Sequence, residues 1–459
     1  MGRSCWPVAI ASMLASTARA VDGEFDPAWG NGGRLQVDVS PGSDEGQTLL
    51  IQRDGKLLLS GTCAGAALSS TFCAARLLPN GGYDATFGPT HLGYMTFLEF
   101  PGFPSGTLLR GAAPLPGGGN VFAGYTVEGY GLVARLADDG ASVAHAQFRF
   151  NANSISLVSG VAVQPDGKIV VAGRTTRPGQ TDPDFGVARL RTDLSLDPDF
   201  GNGGTQVIAF DLEGPTNGGS DVARAVALQA DGRIVVAGAA SNNTETYVAV
   251  ARLTTNGQLD TSFAGTGRRT FSWSTNHVDQ VHAAMVDRNG TILIAGNALI
   301  GIGAPDHDFA VSRLAPDGSF DPVFGLQCPP PTCASGTVTV DLGPSFGGAT
   351  NDIAWTFAVQ ADGKIVVAGD SSNTTPDSQK RFSTVRLTRH GELDLGYGIG
   401  GVSGGSFANV WKLDSASAVA FGNGGLMIAG PSREAVGTNL RFGIGRLRLD
   451  LIFANGFNP

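Results

Sequence analysis

Charged residues recur in this 459-residue sequence at fixed spacings, and those spacings limit the chemistry it can hold. Seven related segments end in arginine followed by leucine, with the arginines at Arg76, Arg135, Arg189, Arg252, Arg313, Arg386 and Arg446. In five of them an aspartate follows eight residues later, giving Arg76/Asp84, Arg189/Asp197, Arg252/Asp260, Arg313/Asp321 and Arg386/Asp394. An arginine on a strand covered on both faces needs a carboxylate or carbonyl partner, so these read as structural ion pairs. Arg446 has two candidate partners, Asp26 and Asp450. A second series, Asp44, Asp221, Asp279, Asp352 and Asp414, stands four positions before the core of another recurring segment, with Thr107 and Ser156 in the two remaining copies. If those segments line a central channel, five carboxylates would ring one of its mouths. Either each accepts N–H bonds from its own turn, or they share a hard cation such as calcium, which takes oxygen ligands.

Catalytic patterns are weak by comparison. The six histidines (91, 145, 277, 282, 307 and 390) form no H-E-x-x-H pair, and no G-x-S-x-G elbow precedes a helix. With 67 glycines, chance Gly-x-Gly matches carry no phosphate-loop meaning. The carboxylate pairs Asp182/Asp184 and Asp306/Asp308 could do acid/base work only at the separations glycosidases use.

The elements that must position these residues come from a repeat. Asp-Gly or Asn-Gly precedes KLLLSG, KIVVAG, RIVVAG, TILIAG and KIVVAG, and weaker copies are GGGNVFAG and NGGLMIAG. The final glycines are 61, 124, 173, 238, 296, 369 and 430, about 60 residues apart. Asp-Gly between two short β-branched runs is a tight hairpin signal, because glycine supplies the positive φ of the turn. Strands a and b flank it, the arginine segment is strand c, and a signature such as LDPDFGNGG leads into strand d. No segment holds a helical period.

Four short antiparallel strands per repeat specify a β-propeller blade, so the chain is expected to be all-β, a seven-bladed β-propeller spanning residues 21–459. The sequence opens with a d-type strand, RLQVDV from 34, and stops after the seventh strand c. The N-terminal strand is therefore expected to complete the last blade and close the ring. An open solenoid would need atypical capping repeats, and none is visible.

LDPDFGNGG, AVALQADGRIVVAG and VARL resemble the delta-60 repeats, a bacterial propeller-type repeat of secreted and surface proteins. The resemblance covers essentially the whole chain after the leader and weakens in the second blade, where ALADDGASVAHAQFRF replaces the LDxxFG signature. It implies a fold and an envelope or extracellular location, and no chemistry.

Residues 1–20, with Arg3, an apolar stretch and Ala18-Arg19-Ala20, read as a secretory signal rather than a buried first helix. Its removal leaves 29 basic against 40 acidic side chains, which argues against nucleic acid or anionic lipid as the main partner. No run of 18 apolar residues offers a membrane span. After the leader four cysteines remain, and Cys63/Cys73 and Cys328/Cys333 are the natural local disulfides; a zinc site would need the four thiolates to converge. Connections a–b and c–d are short and constant, whereas b–c and d–a vary and emerge together at one end. Recognition usually resides in such loops, and His277, His307, Asp306, Asp308, Trp411 and Lys412 are the candidate contacts there. The expectation is a secreted or periplasmic scaffold without catalysis or cofactor, a monomer binding a protein or polysaccharide of the cell envelope. The alternative is an extracellular polysaccharide lyase or hydrolase using loop carboxylates.

Overall fold

The computed structural model describes residues 22–449, apart from 65–68, 178, 180–181, 213–218, 243, 301–305, 326–332, 344–350, 373–379, 408–412 and 434–437. Seven antiparallel four-stranded blades form a ring, a seven-bladed β-propeller. The fourth blade shows the pattern, with strand a Asp221–Leu228, strand b Ile234–Ser241, strand c Thr246–Leu253 and strand d Arg268–Phe271. The other strands a are Asp44–Ile51, Thr107–Pro114, Leu157–Val163, Asp279–Val286, Asn351–Val359 and, in the seventh blade, Ala418–Gly422. The d strand of the second blade, Val143–Phe148, forms although its signature is missing.

Ring closure rests on main-chain pairing between the first strand and the last. Arg34–Val37 lies antiparallel to Arg441–Leu447, with Arg34 opposite Gly445 and Val37 opposite Phe442. Arg446 pairs with Asp26 at 2.7 Å, so the final arginine is also met by the N-terminal segment; Asp450 lies outside the described residues.

The turn chemistry works as its residues dictate. Gly55, Gly167, Gly232, Gly290 and Gly363 all have φ between 78° and 86°, and in the first hairpin the Asp54 side chain accepts the N–H of Lys56. Strands b and c are buried on both faces, as in the IVVAGAAS and TYVAVARL of the fourth blade, because each blade stacks between two others. Val236 and Ala251 thus share one core with Val170 and Val187 of the third blade.

The signature residues join neighbouring blades. Each paired arginine presents Nε to its aspartate, at 2.7 Å in Arg76–Asp84 and Arg386–Asp394 and 2.8 Å in Arg189–Asp197, Arg252–Asp260 and Arg313–Asp321. Its guanidinium lies over the signature aromatic, 4.8 Å from Phe200 for Arg189 and 4.9 Å from Tyr397 for Arg386. Its Nη1 donates onward to the following blade: Arg189 to the Thr255 carbonyl, Arg252 to Pro316 and Arg313 to Arg389. The basic residue after Asp-Gly adds a second cation to the same aspartate, as Lys168 does to Asp197 and Arg233 to Asp260. LDxxFG is therefore a blade-to-blade joint.

A disulfide links Cys63 and Cys73, on the facing b and c strands of the first blade. Cys328 lies outside the described residues, so its pairing with Cys333 does too. Among the described residues no helix is long and apolar enough to cross a membrane.

Candidate functional site

The five aspartates at the starts of strands a do not gather at a channel mouth. Each is at most 3% exposed and sits at the seam with the preceding blade. Asp44 accepts from Val39 N–H, Asp221 from Phe210, Asp279 from Trp273, Asp352 from Leu342 and Asp414 from Phe407, each donor following the d strand of the blade before. Ser156 does the same for Phe150, while Thr107 accepts from Phe72 on strand c. Hydroxyls complete the set: Ser40 for Asp44, Ser272 and Ser274 for Asp279, Ser371 for Asp352, and Ser406 and Ser432 for Asp414. Burial pushes Asp221 up to about 7 and Asp414 to about 6. Cation sharing among the five is therefore corrected: the separate backbone donors hold them apart.

Three residues beyond each of these seam positions, strand a carries one extra residue opposite strand b. In six blades the shift in pairing falls at Gln47, Arg110, Ser159, Arg224, His282 and Trp355. In the seventh it falls between Asp414 and Ala418, where Ser417 holds the same spacing. A bulge turns a side chain out of the regular alternation, and all seven residues line one central cavity of about 620 Å³. The glycine that ends every KIVVAG-like phrase is the partner of this bulge. A Cβ on Gly238 would strike the Val222 carbonyl, and one on Gly173 the Leu157 carbonyl.

The bulge residues give the channel its character. Arg110 Nη2 donates to Tyr125 Oη at 3.0 Å. The Arg224 side chain is open to solvent in the channel, yet desolvation by the surrounding walls, with Arg110 and Arg174 close by, holds its guanidinium below its usual range. His282 Nε2 donates to Asn297 Oδ1 at 3.0 Å, and burial then Arg224 lower its pKa to about 4, so the ring is neutral at pH 7. Its centroid lies 4.4 Å from the Trp355 ring, whose Nε1 donates to Asp370 at 2.6 Å. No carboxylate lines this cavity among the described residues.

The variable end lies one strand-start above the channel. His277 adopts φ 49° and packs its ring 5.0 Å from Tyr247, whose hydroxyl donates to Glu245. His307 Nδ1 bonds Asn351 at 2.9 Å. Asp308 is no exposed loop contact: it is the second residue of strand c and 5% exposed. Burial, then Asp341, Asp306 and Asp352, push it up to about 8. Trp411 and Lys412 lie outside the described residues. Five positions before the seven strand-c arginines stand Thr71, Tyr130, Asp184, Tyr247, Asp308, Arg381 and Arg441, so tyrosine, aspartate and arginine each occur twice and no single residue recurs all the way around this end.

Among the described residues, two groups of three carboxylates come close enough to hold a cation: Asp182, Asp184 and Asp211, and Asp308, Asp341 and Asp352. The first already has one in Arg177, whose Nε lies 2.8 Å from Asp184 and whose Nη2 lies 2.7 Å from Asp211 and 3.5 Å from Asp182. Asp182 and Asp184 therefore face a guanidinium, while burial raises Asp184 to about 6. In the second group the position corresponding to Arg177 is Ile300, and Arg381 approaches Asp352. Of the five seam aspartates, Asp352 alone belongs to such a group among the described residues.

Four segments, 164–200, 229–263, 288–324 and 360–397, match a family model described as "Domain of unknown function (DUF5122) beta-propeller". The chain is a β-propeller repeat protein. No curated protein matches it in sequence. Its fold is similar to a catalytically inactive virginiamycin B lyase from Staphylococcus aureus with quinupristin, at 11% identity and TM-score 0.48 over 91% of this chain and 99% of that one. An ulvan polysaccharide lyase is similar at 11% identity and TM-score 0.46, over 89% and 95%. A gluconolactonase from Xanthomonas campestris is similar at 12% identity and TM-score 0.35, over 91% and 98%. Likeness at this level says nothing of activity.

Proposed function

We propose that this protein is a secreted or periplasmic propeller of the delta-60 type, a monomeric scaffold that binds a protein or polysaccharide of the cell envelope and performs no catalysis. Its recognition face is the end where the b–c and d–a connections emerge. One observation carries the reading. At the opposite end the blades repeat the same Asp-Gly turns and Arg–Asp joints, whereas at this end the equivalent strand-c position holds threonine, tyrosine, aspartate or arginine by blade. Uniform chemistry builds the ring, and individual chemistry selects a partner. The disulfide fits an oxidising compartment, and the leader supplies the route.

The test compares the exported chain with a variant in which Tyr247, His277 and His307 are alanine, each presented to fractionated envelope proteins and polysaccharides. A defined component retained by the parent and lost by the variant supports the face; identical retention removes it. Amino-terminal sequencing of the exported protein is expected to begin at Val21. Asp308 favours the competing reading of a polysaccharide-active enzyme, because a carboxyl held near 8 is protonated at neutral pH and can give a proton. Release of new reducing ends or unsaturated sugar products by the parent, and not by Asp308→Asn, would replace binding by catalysis.

A further inference from the structure

The channel is chemically unlike the rest of the protein. The chain carries 40 acidic against 31 basic residues, yet the cavity has arginines and no carboxylate among its described lining. The strand-c arginines with an aspartate eight residues on each carry that carboxylate at 2.7–2.8 Å. Arg110 has only the neutral Tyr125 hydroxyl, and neither Arg174 nor Arg224 has a hydrogen-bond partner among the described residues. Arg110 and Arg174 stand close enough to Arg224 to repel its guanidinium, and an anion set among them would relieve that repulsion. Two of them stand within the row of bulges that aims side chains into the channel. The position is three residues inside strand a, about 10 Å below the variable mouth at the rise of an extended strand. The remaining polar groups suit a hydroxylated ligand. Because Nε2 of the neutral His282 is committed to Asn297, Nδ1 is left as an acceptor, and Gln47 and Gln280 supply amides. Trp355 adds an aromatic face.

We infer that the central channel binds an acidic sugar, its carboxylate held between Arg110 and Arg224 and its hydroxyl groups by the amides and His282. The cavity of about 620 Å³ accommodates one or two sugar rings. Such a residue can arrive as the free sugar or as the end of an acidic polysaccharide. The inference does not depend on what the variable face binds, since the bulge ring lies inside the channel.

Isothermal titration with D-glucuronate, D-glucose and inorganic phosphate at low salt tests it. Glucuronate is expected to bind, glucose at least about tenfold more weakly, and phosphate to compete with glucuronate. Arg224→Gln and Arg110→Gln should each weaken glucuronate about tenfold or more. Arg224→Gln should melt no lower than the parent, because it relieves like-charge repulsion, so loss of binding is not loss of fold. Trp355→Ala, checked by its own melting curve, should weaken glucuronate and leave phosphate unchanged. A glucuronate-tipped oligosaccharide binding more tightly than the monosaccharide identifies the polymer end as the source, and equal affinities the free sugar. Absence of glucuronate heat, equal affinity for glucose, or unchanged binding in Arg224→Gln overturns the inference.

Discussion

Single side chains in this protein divide by whether their charge is met. Asp308 is buried, the charged groups acting on it among the described residues are other carboxylates, and its folded-state pKa stands at about 8 against 3.8 for an ordinary aspartate. The folded protein then holds a proton that the unfolded chain has released, so Asp308 withdraws stability as pH rises from about 4 to about 8. Asp308→Asn is expected to raise stability at pH 8 by on the order of 2–4 kcal/mol and to change little at pH 4, read from urea melts at both values. His282 acts in the opposite window. With its folded pKa at about 4 and the ordinary value at 6.5, acidification protonates the unfolded chain first and stability falls as pH drops between those values. His282→Gln should remove that part of the acid sensitivity, and an unchanged melting profile between pH 6.5 and 4 would show that the imidazole is not so enclosed. Asp308 was misplaced by sequence because its neighbours, Asp306 and His307, look like loop; strand c begins at His307, which turns the next side chain inward.

At the scale of the strand, the repeated phrases are legible because each residue in them meets the same neighbour in blade after blade. The eight-residue Arg/Asp spacing identified its pairs for this reason. Asp260 takes both Arg252 and Arg233 at 2.8 Å. Asp260→Asn should therefore cost about 3–5 kcal/mol in chemical unfolding. Asp231→Asn, at an exposed end of the same cluster, should cost less than about 1 kcal/mol. The channel was not legible, since no phrase recurs at the bulge: glutamine, arginine, serine, histidine and tryptophan share only a position. A signal for it was nonetheless present. The glycine closing each KIVVAG phrase is required by the bulge opposite, and counting three residues from each seam aspartate reaches the channel. Gly238→Ala should cost about 1–3 kcal/mol and displace Arg224, so its glucuronate affinity should fall with its melting point.

For the whole molecule, blade number and closure followed from counting strands, and the arrangement of side chains at the variable end did not, because connections that vary from blade to blade leave no repeat to read. Closure itself can be measured. Removing residues 22–39 takes away the strand opposite Arg441–Leu447 together with Asp22 and Asp26, the partners of Arg386 and Arg446. Amides of the last strand should then exchange freely with deuterium while those of the fourth blade stay protected, and equal protection in both would mean that the first strand does not lock the ring. The arrangement also sets a timetable. A ribosome delivering roughly 5–20 residues each second needs about 20 to 80 seconds to travel from Val37 to Phe442. Through that interval the earliest strand waits with an open edge, ready to pair with a strand from another nascent chain. A holding chaperone, or passage across a membrane before folding, is what such a timetable calls for.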